Sequence, residues 1–130
     1  MTVCLDSWAV LRWLEGIDPA ATRVEQALAA RPVMSWINLG EVFYVIRRLS
    51  GEDDAKAVIR NLRQRLVLDL PDEHRVLEAA TIKADHTVAY ADAFAAAAAA
   101  LLGCPVMTGD PEFSAAEAMG IAVRWLPTST

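Results

Sequence analysis

Four acidic residues lie in surroundings where a carboxylate is unusual, namely Asp6, Glu41, Asp92 and Asp110. Asp92 is the only charged residue between His86 and Asp110, at the start of an alanine-rich segment. Glu41 lies in the apolar segment 37–46, and no residue three or four positions away from it is a cation. A buried carboxylate must meet a cation, cap a helix or become protonated. With no Lys or Arg close by in sequence, these acids are candidates for a shared cation site.

The other two acids each follow an apolar segment and precede a helical one. Asp is a favoured helix N-cap residue, and Pro111 suits a first helical position, so capping alone could explain Asp6 and Asp110. If all four acids converge, however, their charges repel unless a cation lies between them. An all-oxygen donor set favours Mg²⁺ or Mn²⁺ over zinc. Such ions keep several waters and take phosphate oxygens, which predicts phosphodiester or phosphomonoester transfer.

The elements that would position the acids alternate between short apolar strands and helices. Gly16 and Gly103 end helices, and Asp18-Pro19 is typical of a helix start. We predict strands at residues 3–5, 33–36, 66–70, 105–108 and 121–125. We predict helices at residues 7–14, 18–30, 37–49, 52–65, 72–85 and 91–102, with a short helix starting at 110–111. This alternation indicates an α/β fold with a mostly parallel sheet covered on both faces, with its chemistry at the carboxyl ends of the strands.

Chain length, net charge and hydrophobicity limit the classes of protein that this sequence could represent. The 130 residues, 55% of them hydrophobic, suit one domain spanning 1–130. A net charge of −5, from 12 basic and 17 acidic residues, disfavours a protein that only coats nucleic acid but is compatible with acids gathered around a metal. The start does not resemble a signal peptide, and the low-charge segment 87–109 is interrupted by Asp92, Gly103 and Pro105. We therefore expect a cytoplasmic protein with no membrane span.

Several familiar sites are missing from the sequence. It contains no GxGxxG, GxxxxGK[ST], HExxH or GxSxG motif, which disfavours common nucleotide-binding, zinc-protease and serine-hydrolase sites. Cys4 and Cys104 form no CxxC pair and are expected to be buried thiols. His74 and His86 are expected at the surface, so a paired-histidine ribonuclease mechanism has little support.

The four acids resemble the successive acidic motifs of PIN-domain proteins. The matching segments are Val-Cys-Leu-Asp6-Ser, Ile-Asn-Leu-Gly-Glu41-Val, Ala-Tyr-Ala-Asp92-Ala-Phe and Met-Thr108-Gly-Asp110-Pro-Glu-Phe. The small size with nothing appended resembles the VapC-type toxins of toxin–antitoxin modules. The resemblance covers essentially the whole chain. It implies a Mg²⁺- or Mn²⁺-dependent endoribonuclease, a PIN-like three-layer α/β/α fold with five strands, a homodimer, an RNA substrate and a small antitoxin that blocks the site.

By position, the resemblance makes Asp6, Glu41 and Asp92 the principal acids and Asp110 a fourth that often acts through water. Thr108 matches a hydroxyl that often accompanies the last Asp, and we place Ser7 with it in a supporting role. Attack by a metal-activated water would leave 5′-phosphate and 3′-hydroxyl ends. Candidate RNA contacts are Lys56, Arg60 and Arg63 on one helical stripe, together with Arg47 and Arg48. The stripe is equally typical of a solvated face opposite an apolar one.

Two alternatives remain at this point. A haloacid-dehalogenase-type phosphatase also has an Asp after its first strand, but it needs a second Asp two residues later, where this sequence has Trp8. A catalytically silent PIN-like interaction module would be expected to lack one of the acids, and all four are present.

Overall fold

The computed structural model of the chain describes residues 2–128, and five short strands in it form one sheet. The strands are β1 (Cys4–Leu5), β2 (Val33–Ser35), β3 (Val67–Asp69), β4 (Val106–Thr108) and β5 (Val123–Trp125). Their order is β3-β2-β1-β4-β5, and all neighbouring pairs are parallel. The sequence predicted a mostly parallel sheet, and the described sheet is parallel throughout.

Helices connect the strands and cover the sheet. They are α1 (Ser7–Glu15), α2 (Ala20–Leu28), α3 (Trp36–Ser50), α4 (Glu52–Arg65), α5 (Glu73–Asp85), α6 (Tyr90–Leu102) and α7 (Ser114–Ala118), with a 3-10 helix at Pro111–Phe113. The predicted element order is confirmed, but Trp36 belongs to α3 rather than to a strand. The reason is local, because the Ser35 hydroxyl accepts from the Ile37 N–H at 3.2 Å and caps the helix one residue early.

Alternating strand residues build two apolar cores, one on each face of the sheet. In β1, Cys4 packs in the core with α5, α6 and α7, whereas Leu5 packs in the core with α1 to α4. In β4, Val106 and Met107 divide in the same way. The two cores make the fold the three-layer α/β/α architecture that the sequence predicted. Both cysteines are free and buried, as expected.

The strand order determines where ligand chemistry can occur. The chain builds outward from β1 through β2 to β3, then crosses to β4 on the other side of β1. The switch point therefore lies between the carboxyl ends of β1 and β4, the usual place for a ligand crevice in such sheets. Asp6 and Asp110 follow these two strands directly or within two residues. In residues 2–128, no helix is long and apolar enough to cross a membrane.

Candidate active site

Asp6 directly follows β1, beside this switch point, and is only 1% exposed. One carboxylate oxygen accepts from the Ala9 N–H at 2.9 Å and caps α1, and the other accepts from the Thr108 hydroxyl of β4. The same Thr108 oxygen accepts from the Asp110 N–H at 3.0 Å. Thr108 thus joins the two strand-end acids in one hydrogen-bonded unit. Asp6 is a helix cap, as the sequence suggested, but capping uses only one of its oxygens.

Three other carboxylates cluster near Asp6, and neither Asp6 nor Glu41 belongs to this group. Asp92, near the start of α6, Asp110 and Glu112 each place one oxygen within 4.8 Å of the others. Asp110 accepts from the Glu112 N–H at 3.0 Å, and this capped 3-10 turn is what brings the Glu112 side chain back towards Asp92. The structure therefore brings Asp92 and Asp110 together as predicted, with a third acid that the sequence analysis did not select.

Glu41 approaches from α3 and is held from two sides. The Ser7 hydroxyl donates to one carboxylate oxygen, and the Tyr44 hydroxyl donates to the other at 3.4 Å. Ser7 is itself buried beside Asn38, whose amide N–H₂ donates to the Ser7 oxygen at 3.4 Å and to the Ala91 carbonyl at 3.0 Å. Asn38 therefore ties α1, α3 and α6 together where each carries a residue of the site.

These elements enclose a cavity of about 250 Å³. It is lined by Ser7, Trp8, Leu11, Glu41, Val45, Ala89, Asp92, Asp110 and Glu112. None of these lining residues is a cation, so the four lining carboxylates face one another without a basic partner. Because of these carboxylates the cavity is strongly acidic, with donor oxygens from four different elements. The buried Asn38 Oδ1 atom, which lies beside Ser7, makes no hydrogen bond in the described structure.

Burial and mutual repulsion perturb the acids in the metal-free protein. Burial raises the pKa of Asp6 to about 7, although the hydrogen bonds from Thr108 and Ala9 oppose the rise. Burial, then a hydrogen bond with Glu112, then the charges of Asp110 and Asp6 raise the pKa of Asp92 to about 9. A bound cation would reverse both effects by favouring the ionised forms. The all-oxygen donor set and its close spacing therefore fit a hard divalent ion such as Mg²⁺ or Mn²⁺.

A sequence comparison with family models matches residues 3–118 to the PIN domain. The chain belongs to the PIN-domain family. No curated protein matches the sequence at a significant level. Because the chain belongs to this family, the hypothesis of a haloacid-dehalogenase-type phosphatase is rejected.

Solved structures that resemble this PIN domain include several toxin–antitoxin complexes. DNA-bound VapBC from Salmonella typhimurium has a TM-score of 0.76 at 21% identity, over 95% of this chain and 97% of that one. VapBC2 from Rickettsia felis, bound to a promoter fragment, has a TM-score of 0.77 at 13% identity, over 98% and 100%. VapC20 from Mycobacterium tuberculosis, a toxin that cleaves the sarcin-ricin loop, has a TM-score of 0.73 at 19% identity, over 88% and 95%. At these identities the likeness shows the fold.

The basic residues that the sequence offered as RNA contacts lie outside the acidic cavity of the PIN domain. Lys56, Arg60 and Arg63 are exposed on α4, where Lys56 pairs with Glu52 at 3.7 Å. Arg47 and Arg48 are exposed at the end of α3. None of these five residues lines the cavity. Neither histidine lines it either: His74 is exposed and His86 is half-buried.

Sequence reasoning missed three features of the site. Glu112 follows Asp110 by two residues, and this spacing was the available signal. Asn38 precedes Glu41 by one helical turn, so it shares its face. The third is Trp8, whose ring lines the cavity and lies so close against Gly109 that a Cβ there would collide with the indole. Only glycine permits this approach between α1 and the turn that carries Asp110.

Proposed function

We propose that this PIN domain is a divalent-metal-dependent endoribonuclease acting as the toxin of a toxin–antitoxin pair. The observation that carries the proposal is that carboxylates from α3, α6 and the turn after β4 line one cavity whose lining contains no cation, with Asp6 joined to the end of β4 through Thr108. Such a cluster is unstable without a counter-ion and is suited to holding one. Family membership and the likeness to VapC-type folds support the assignment.

Asp92, Asp110 and Glu112 have the spacing to hold Mg²⁺, with Mn²⁺ able to substitute. Glu41 lines the same cavity, and Asp6 lies buried beside it, joined to the end of β4 through Thr108. When bound, the metal would supply an activated water and offset charge on the phosphate. The protein's own contribution is to pre-organise the donors. Thr108 holds Asp6, and Ser7 turns Glu41 towards the cavity, so both hydroxyls support acids rather than attack the substrate.

The proposed products follow from the acidic cavity, which favours a metal-bound water over the RNA 2′-hydroxyl as the nucleophile. The lining residues include no histidine, so we expect water to be the nucleophile and the products to carry 5′-phosphate and 3′-hydroxyl ends. End-group analysis of a cleaved single-stranded RNA tests this. Cleavage should require Mg²⁺ or Mn²⁺ and stop in EDTA. A 2′,3′-cyclic phosphate formed equally well in EDTA would contradict the mechanism.

Substitutions separate the roles of the acids. Asp6→Ala, Glu41→Ala and Asp92→Ala should lower kcat/KM by orders of magnitude. Asp110→Ala is expected to be milder because Asp110 is less buried than Asp92, so water can take the place of its oxygen. Asp85→Asn, on the exposed end of α5, is the matched control and should cut like the parent. Full activity in Asp92→Ala would contradict the proposed site and favour a silent interaction module.

Metal binding can be measured without any activity. Mn²⁺ should raise the melting temperature of the parent by mass action, and the double variant Asp6→Asn with Asp92→Asn should lose that shift. Equal stabilisation of the parent and the double variant would show that the ion binds elsewhere.

We also propose the assembly that the family resemblance implies: one domain spanning 1–130, a homodimer and a small antitoxin. Strand β5, beyond the residues matched by the family model, pairs with β4 and so belongs to the same sheet. The acidic cavity favours an antitoxin that offers a basic side chain near Asp6 and Asp92. Purification from the native operon, with light scattering of the free chain, tests both partners. A non-toxic monomer with no co-purifying protein would contradict them.

A further inference from the structure

Two arginines lie on aromatic rings of α1 and α3, the helices that bring Trp8 and Glu41 to the acidic cavity. On α1, the Arg12 guanidinium carbon lies 4.5 Å from the centroid of Trp8, a residue that lines the cavity. On α3, the Arg48 guanidinium carbon lies 5.1 Å from the centroid of Tyr44, whose hydroxyl donates to Glu41. In both pairs the arginine follows its aromatic partner by four residues, the spacing at which two side chains share a helix face. The same arrangement therefore occurs once on each flanking helix.

Neither arginine is neutralised by a carboxylate. The ion pairs within residues 2–128 use Lys56, Arg65 and Arg75, and not these two residues. An arginine held by an aromatic face, rather than by an acid, keeps the donors in its guanidinium plane free for a phosphate.

The acidic cavity itself creates a need for such groups. A bound metal offsets the acids and one phosphate, but the next phosphates of a nucleic acid strand still approach four lining carboxylates. Cations on the rim would lower that repulsion. The stripe on α4 is a poorer candidate because Lys56 is paired with Glu52. Arg63 does lie on an aromatic ring, but that ring, Trp36, does not line the cavity.

We propose that Arg12 on Trp8 and Arg48 on Tyr44 are the phosphate contacts that hold single-stranded RNA beside the acidic cavity. The inference rests on the proposed nuclease function and assigns its substrate-positioning residues. The aromatic rings hold the guanidiniums at the rim and away from the acids. Each arginine binds a backbone phosphate, so the contacts do not depend on base sequence.

The test uses the full chain with Arg12→Gln, Arg48→Gln and the double variant. The probe is a fluorescently labelled single-stranded RNA oligonucleotide, with binding followed by anisotropy in EDTA and cleavage followed in Mn²⁺. We expect each single variant to raise Kd and KM by about fivefold with little change in kcat. The slope of log K against log salt should fall by about 0.7 for each arginine that is replaced by glutamine. Arg12→Lys and Arg48→Lys should restore the slope, because they keep the charge.

Arg23→Gln is the matched control, an exposed arginine on α2 that has no ion pair within residues 2–128 and does not line the acidic cavity. It should match the parent in both assays. Unchanged Kd and salt slope in the double variant, or an equal loss in Arg23→Gln, would overturn the proposal. Thermal melts of every variant exclude misfolding as the cause. If the parent itself cleaves no RNA, the proposed function fails; if the parent cleaves and the glutamine variants match it, only this inference fails.

Discussion

Replacing Asp6 with asparagine should stabilise the metal-free protein at high pH. Asparagine keeps the shape of the side chain, and its oxygen can accept from the Ala9 N–H as before. Its amide can donate to the Thr108 oxygen, which reverses the direction of the bond that the Thr108 hydroxyl donates to Asp6. The substitution therefore removes a buried charge while the cap on α1 is kept. Ordinary loss of packing or capping should contribute little to the result.

The magnitude follows from the raised pKa of Asp6. Burial raises that pKa from an ordinary 3.8 to about 7, so between these values the folded chain holds a proton that the unfolded chain has lost. The stability contributed by the protonated carboxyl is present at pH 4 and is lost as the pH rises through 7. At about 1.4 kcal/mol for each pKa unit, the loss is about 4 kcal/mol, an upper bound because water entering around the ionised group reduces it.

Urea unfolding in EDTA, from pH 4 to pH 8, measures the effect. We expect Asp6→Asn to exceed the parent in free energy of unfolding by about 1 to 4 kcal/mol at pH 8, with the difference nearly vanishing at pH 4. Added Mn²⁺ should reverse the order at pH 8, because it stabilises the ionised parent. Asp72→Asn is the control, since Asp72 caps α5 through the Arg75 N–H at 2.9 Å but is exposed.

Two results would refute this reasoning. If Asp6→Asn is less stable than the parent at pH 8 without metal, the Asp6 charge is compensated by a partner other than a metal. If the two differ by the same amount at every pH, the effect is one of packing. An equal gain in Asp72→Asn would show that asparagine improves caps in general.

Three further predictions concern single features of the site. Glu112→Gln should weaken Mn²⁺ binding by about tenfold in calorimetry, because it removes one of three clustered carboxylates, whereas Glu117→Gln, exposed on α7, should bind Mn²⁺ like the parent. Site-resolved NMR titration without metal should give Asp92 a pKa well above its usual range, and a value near 4 would mean that the acids do not converge. Gly109→Ala should destabilise the fold by about 1 to 3 kcal/mol through its clash with the indole ring, whereas Gly40→Ala, in an open helical position, should stabilise it by about 0.5 to 1 kcal/mol in thermal melts.

The sequence was sufficient to predict the fold because each level of signal agreed. Short apolar segments alternate with capped amphipathic helices, and this alternation allows few arrangements other than a parallel sheet covered on both faces. The errors lie at element ends. Trp36 continues the apolar run of β2, so only the hydrogen bond from Ile37 to the Ser35 hydroxyl shows that the helix has already begun. Such a cap competes with strand pairing over one residue, which periodicity cannot resolve.

The sequence also indicated which acids could converge, but not the full acidic set. Asp92 and Glu41 are conspicuous because they are carboxylates in apolar segments with no nearby cation. Glu112 lies in an exposed, polar turn, where an acid needs no special explanation. Its role in the cluster depends on the 3-10 turn capped by Asp110, a geometry that brings a residue two positions along back over the strand end. Asn38 was passed over because a neutral amide raises no question of charge.

The acids and the flanking arginines are positioned by different constraints, and only the first can be inferred from sequence. A carboxylate buried in an apolar segment has few stable environments, so several such residues in one small domain point to a common cation. An arginine on an exposed helix is stable almost anywhere. What distinguishes Arg12 and Arg48 is an aromatic ring one turn earlier that touches the cavity or an acid in it. Spacing places each pair on one helix face, but only the packing of α1 and α3 around the strand ends turns those faces towards the acids. Candidate metal-binding residues can therefore be predicted from the sequence, because an unpaired buried carboxylate is energetically costly. Candidate substrate-positioning arginines can be identified only from the folded structure.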